Sequence, residues 1–112
     1  MPKSMITYEQ ARQLAIVHLK SYDEIIKKAH PNDNFVIEHS CKFDNGWIFY
    51  FTSKLYLETH NTIYRFLGLG PVIVGKEGEV FQTGSGGNEE YWIAQFNEQF
   101  TNSYSNNEQT SD

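Results

Sequence analysis

The stretch Phe43-Asp44-Asn45-Gly46-Trp47-Ile48-Phe49-Tyr50-Phe51-Thr52 decides the fold. Asp44-Asn45-Gly46 is a tight turn, because Asn and Gly tolerate positive φ. Trp47 to Ser53 follows as a run of strong β-formers. Phe35 to Phe43, with Val36 and Ile37, is β-compatible on the other side of the turn. The two runs read as a hairpin. Alternation places Trp47, Phe49 and Phe51 on one face and Ile48, Tyr50 and Thr52 on the other. Both rows are mostly apolar or aromatic, so this is a central strand whose second face is covered or used for binding.

Upstream, Thr7-Tyr8-Glu9-Gln10 fits a capping box. Ala11, Leu14, Ala15, His18, Leu19, Tyr22, Ile25, Ile26 and Ala29 then recur at spacings of three and four. That is one apolar stripe, and it predicts a long amphipathic helix ending at Pro31-Asn32-Asp33-Asn34. Downstream, Glu58-Thr59-His60-Asn61 is a polar excursion, and Thr62 to Leu67 reads as a strand. Val72-Ile73-Val74 and Val80 to Thr83 form a second hairpin around Lys76-Glu77-Gly78-Glu79. Gly84-Ser85-Gly86-Gly87 is a connector. Asn88 caps a final helix with Glu89 and Glu90 in its first turn and Trp92, Ile93, Phe96 and Phe100 on its apolar face.

The fold class is therefore α+β. A long N-terminal helix packs on a four- to five-stranded antiparallel sheet, and a short C-terminal helix follows. The 112 residues fit one domain, over 1–100, with a disordered polar tail over 101–112.

The net charge of -5 disfavours nucleic acid and anionic membrane, both of which need Lys and Arg against phosphate. The same charge suits solubility or a basic protein partner. A single cysteine, Cys41, allows no internal disulfide and no structural Cys-based zinc site. No apolar run follows Met1-Pro2-Lys3, and none is long enough to span a membrane. The expected location is the cytoplasm.

No catalytic constellation is complete. His18, His30, His39 and His60 make no ligand cluster, and His18 on the apolar stripe reads as a satisfied, partly buried histidine. His39 and Cys41 share a strand face but lack a visible orienting group and oxyanion hole. Gly84 to Gly87 precedes a helix but lacks the Lys-Ser/Thr of a phosphate loop, and Glu89-Glu90 would repel phosphate. No cofactor, metal or enzymatic activity is expected. The aromatic residues are the remaining signal. Trp47, Tyr50, Phe51, Tyr56, Tyr64, Tyr91 and Trp92 cannot all be equally buried in a domain this small. Tyr and Trp at a surface are enriched in binding hot spots. The candidate contact surface is the sheet face and hairpin tips carrying Asp44, Trp47, Tyr50, Tyr56 and Glu58. Trp47 has a second reading as pure core, since it heads the row of Phe49 and Phe51.

Four segments carry a resemblance. They are Ile6-Thr7-Tyr8-Glu9-Gln10-Ala11-Arg12, then Phe43 to Tyr50, then Lys54-Leu55-Tyr56-Leu57-Glu58-Thr59. The last is Gly68-Leu69-Gly70-Pro71-Val72-Ile73-Val74, with Gly78, Thr83-Gly84 and Glu89-Glu90-Tyr91 after it. In this order, over about residues 5–100, they resemble the bacterial immunity protein 35 family, which is similar to a small heat-stable, chaperone-like group. The chain departs at Leu69 and Ser85, where the family usually carries Asn and Thr. The resemblance implies an antitoxin that binds and neutralises a cognate toxin domain encoded by a neighbouring gene, with no catalytic residues. The chaperone-like relatives imply the alternative of a general holdase.

Overall fold

The computed structural model describes residues 5–65 and 69–101. Helices α1 (Tyr8–Lys20) and α2 (Asp23–Ala29) lead into strands β1 (Phe35–Phe43) and β2 (Gly46–Ser53). A short helix α3 (Lys54–Thr59) and a 3₁₀ turn (Thr62–Tyr64) separate them from β3 (Val72–Gly75) and β4 (Val80–Gln82). Helix α4 (Glu89–Phe96) runs on into a π-helical turn over Asn97–Thr101. The sheet is antiparallel, in the order β1-β2-β3-β4. The α+β class holds, with four strands.

Local chemistry sets the helix starts. Thr7 Oγ1 accepts from Gln10 N at 3.2 Å while Gln10 Oε1 accepts from Thr7 N at 2.9 Å. Asn88 Oδ1 accepts from Tyr91 N at 2.8 Å and starts α4. Each cap satisfies a helix N–H that has no partner within the helix.

The expected long first helix is two helices. The apolar stripe continues through the break, with Leu19, Tyr22 and Ile26 turned to the core, so the period alone conceals it. Ser21 makes the break. Its hydroxyl donates to His18 O at 2.6 Å, and Ser21 N and Tyr22 N close tight three-residue turns onto His18 O and Leu19 O. A serine hydroxyl that takes a backbone carbonyl competes with the helical ladder and bends it. Ile25 is left 47% exposed on α2, off the core face.

The strand expected over Thr62 to Leu67 is absent at its start, and Leu67 lies outside the described residues. Asn61 Oδ1 accepts from Ile63 N at 3.1 Å and curls Thr62–Tyr64 into the 3₁₀ turn. A local Asn bond of this kind wins over β-propensity when no neighbouring strand is present. The expected tail over 101–112 also falls almost wholly outside the described residues.

Both faces of β2 are covered. On one face Trp47 and Phe49 pack with Val72, Val74 and the fully buried Ala11 and Ala15 of α1. The two alanines let the helix axis approach the sheet closely. On the other face Ile48 and Ile73 pack under Phe96, with Phe43, Phe81, Trp92, Ile93 and Phe100 around them. The rings there meet edge-on, Phe43 against Phe96 at 5.7 Å and Phe81 against Phe96 at 6.2 Å. Gly46 is a steric requirement, since a Cβ there would lie 2.2 Å from Val74 O. Gly78 holds φ +95 in the β3–β4 turn, a conformation natural only to glycine.

Helix α4 is fastened mainly by Phe96. Replacing it with Ala should cost about 3–5 kcal/mol in urea unfolding, because the cavity opens over Ile48 and Ile73. An exposed position such as Glu90→Ala should change stability by less than about 0.5 kcal/mol.

Candidate functional site

The five candidate contact residues do not form one patch. Strand β2 separates the Asp44 turn from α3 by eight residues, or roughly 25 Å of extended chain. Asp44 is exposed in the turn at one end. Trp47 is 9% exposed in the α1-side core, edge-on to Tyr8 at 6.4 Å. Its core reading is the one the structure supports. Tyr50 is half-buried on the opposite, α4-side face. Tyr56 and Glu58 are both on α3 at the far end, on different sides of that short helix, half-buried and exposed respectively.

That far end is a built surface. Its anchor is Asp33, 1% exposed. The Asp33 carboxylate accepts from Ser53 Oγ, from Leu55 N at 3.0 Å and from Asn34 N at 2.8 Å. Ser53 Oγ in turn accepts from Tyr56 N at 3.1 Å and so caps α3. One buried carboxylate thus joins the loop after α2 to the end of β2 and the first turn of α3. Hydrogen bonds to a charged acceptor are shorter and stronger than neutral ones.

Helix α3 ends at His60, which adopts the left-handed conformation at φ 58. Non-glycine residues take this conformation uncommonly. The chain reverses there into the Asn61-capped turn. His30 fixes that turn from below: its Nε2 donates to Ile63 O at 3.2 Å, and its ring meets Tyr64 edge-on at 4.7 Å. The result presents Leu57 at 40% exposure and Ile63 at 62%, beside Tyr56, Glu58 and His60. The depression below them, lined by His30, Pro31, Asn32, Leu55 and Tyr64, holds about 140 Å³. Small-molecule sites typically start at about 300 Å³. The cap thus offers exposed apolar side chains and a depression too small for such a ligand.

Leu57 and Ile63 were not among the residues singled out from the sequence. Ser53 before Lys54-Leu55-Tyr56-Leu57-Glu58 was the available sign, since Ser is a preferred helix N-cap. A second exposed apolar area lies along α1, where Ile6, Leu14 and Val17 form an open shelf rimmed by Glu9, Gln10 and Gln13.

The constellations tested for chemistry have structural partners. His18 Nε2 donates to Gln82 Oε1 at 2.8 Å, while Gln82 Nε2 donates to Gly70 O and Thr83 O. This ties α1 to β4. His39 stacks on Tyr50 at 4.4 Å, and the two rings share the α4-side face with half-buried Cys41. In the glycine connector, Gly86 O accepts from Trp92 Nε1 at 2.5 Å. Among the described residues no group of three or more His, Cys, Asp or Glu is placed to hold a metal ion. Nor is any described helix long and apolar enough to cross a membrane.

Burial pushes the Tyr50 phenol up to about 12, helped by the negative charge of Glu89, a hydrogen bond to its carboxylate and the Cys41 thiol. The chain matches no protein-family model, no curated protein and no solved structure.

Two measurements check this geometry. Asp33→Ala strips three donors of their buried acceptor and should cost about 2–4 kcal/mol, with faster amide exchange at Leu55 and Tyr56. An unchanged exchange rate there would remove the anchor role. In an ultraviolet titration Tyr50 should ionise near 12, against an ordinary value of 10.0, and Glu89→Gln should lower it. Its folded value is raised, so its contribution to stability is full below pH 10.0 and is lost as pH climbs towards 12.

Proposed function

We propose that this chain is a protein-binding module that neutralises a bacterial toxin domain, as an immunity protein. The carrying observation is the anchored cap. Leu57 and Ile63 stand exposed beside Tyr56 and Glu58 on a backbone fixed by a buried carboxylate. Exposed apolar side chains on a rigid frame suit tight protein binding, because little conformational freedom is lost on association. Aromatic and aliphatic anchors supply the energy, and a rim carboxylate steers a partner of opposite charge. The net charge of -5 favours a basic partner. The resemblance of Lys54 to Thr59 and of the Asp44-Asn45-Gly46-Trp47 segment to the immunity protein 35 family supplies the class of partner. With both sheet faces covered by helices, the cap, the turn at Asp44, the sheet edges and the outer side of α1 are among the surfaces left for a large ligand.

The test is co-expression with the toxin domain encoded by the neighbouring gene, followed by titration of the purified pair. The expected result is rescue of growth and a one-to-one complex. Ile63→Asp, and Tyr56→Ala combined with Glu58→Ala, should each weaken binding by about 30-fold or more, the loss of one or two hot-spot side chains. Full affinity in both variants would move the contact off the cap. Suppression of aggregation of many unrelated clients, without a toxin partner, would replace the proposal with a holdase.

A further inference from the structure

Helix α1 carries Tyr8, Arg12, Ile16 and Lys20 along one flank, at intervals of four residues. That flank runs beside the start of β1. The Tyr8 and Ser40 hydroxyls bond at 3.0 Å, which ties the helix to the strand at one end. Just past the other end of the helix, Phe35 N donates to the Asp23 carboxylate at 3.4 Å. Between these ties lies a groove of about 290 Å³, at the lower limit of small-molecule sites. Its floor is apolar: Leu19 and Phe35 are buried, and Ile16 and Ile37 are half-buried. Its charged groups are Arg12, Lys20 and Asp23.

Arg12 is half-buried in this groove, and among the described residues it has no ion-pair or hydrogen-bond partner. A guanidinium that has given up part of its water and gained no carboxylate favours an incoming anion. The groove's own acid does not fill that role. Asp23 follows Lys20 at the far end and already accepts from Phe35 N. Arg12 and Lys20 stand about 12 Å apart along the helix, with the apolar floor between them. This arrangement suits an anion with an apolar body. It does not suit an added peptide strand, since the Phe35 N–H and C=O are taken by Asp23 and by the Asn34 side chain. We propose that the groove binds a small amphipathic carboxylate of the medium-chain fatty-acid class. Its carboxylate sits on Arg12 and its alkyl chain lies over Ile16, Leu19, Phe35 and Ile37. Planar guanidinium and planar carboxylate match in a charge-assisted, bidentate contact. The chain adds affinity in proportion to the apolar area it removes from water. The site goes beyond the proposed partner binding and shares no residue with the cap.

Titration of the full chain with octanoate, followed by amide and methyl NMR, tests this. Saturable shifts are expected at the Arg12 side-chain N–H and at the Ile16, Leu19 and Ile37 methyls. Octanol keeps the chain and lacks the charge, and butanoate keeps the charge and lacks most of the chain. Each should bind at least tenfold more weakly than octanoate. Arg12→Gln should weaken octanoate about tenfold or more, the loss of a charge-assisted bond. Ile16→Glu, which sets a carboxylate over the floor, should abolish binding. The comparison of ligands uses the parent chain alone, so it decides the matter even where a variant folds poorly. Ile63→Asp on the cap should bind octanoate as the parent does, which separates this site from the toxin reading. Shifts that never saturate, or that fall instead on Ile6, Leu14 and Val17 of the α1 shelf, overturn the proposal. So does equal affinity for octanol. Failure of the free chain to bind, with the same signals covered in a toxin complex, assigns the groove to that partner and overturns it equally.

Discussion

A strand with two apolar faces cannot stand at a surface. Trp47 and Phe49 on one side of β2, and Ile48 on the other, have to be covered from both directions. Each such side chain is worth about 1.5–3 kcal/mol when taken out of water. Two coverings are therefore required, and the chain supplies one from each terminus. Helix α1 brings Ala11 and Ala15 close to the first face, and α4 lays Phe96 on the second. A three-layer arrangement around a four-stranded sheet follows from that one strand. So does the location of possible contact surfaces, which are pushed off the sheet faces to its ends and edges and to the outer sides of the helices.

Some features resting on neighbours three or fewer residues apart were legible. The Thr7–Gln10 box, the Asn88 cap and the turn after Phe43 belong to this group, because side chain and backbone partner travel together in the sequence. The double apolar row of β2 was legible too, and so was the need for cover on its second face. Periodicity misled where a polar side chain overrode it. Ser21 cut the first helix while the stripe ran on through Tyr22 and Ile26, and Asn61 curled a β-rich segment into a turn. In both places a local hydrogen bond beat a pattern spread over many residues.

The candidate site was legible only in part. Tyr56 and Glu58 were picked out for their chemistry; they share α3, but two residues apart on a helix they point to different sides of it. Asp44, Trp47 and Tyr50 were grouped with them as one sheet face and its hairpin tips, but a strand carries neighbours to opposite faces and distant ends. The residue that builds the cap, Asp33, read only as part of a helix stop. Its role depends on Ser53 and Leu55, 20 and 22 residues further on, a pairing that exists only once the hairpin has formed.

The bond between Asp33 and Ser53 spans β1, its turn and β2, so it clasps the hairpin at its open end. Closing a loop already held by strand pairing adds little entropic cost. The clasp and the hairpin thus belong to one cooperative unit. The cap has no independent life: it is ordered whenever the hairpin is zipped to its last residue pair and lost whenever that end frays. Thermal opening of this end of the sheet would therefore disorder the cap, with Phe35 and Ser53 as the first rung to part.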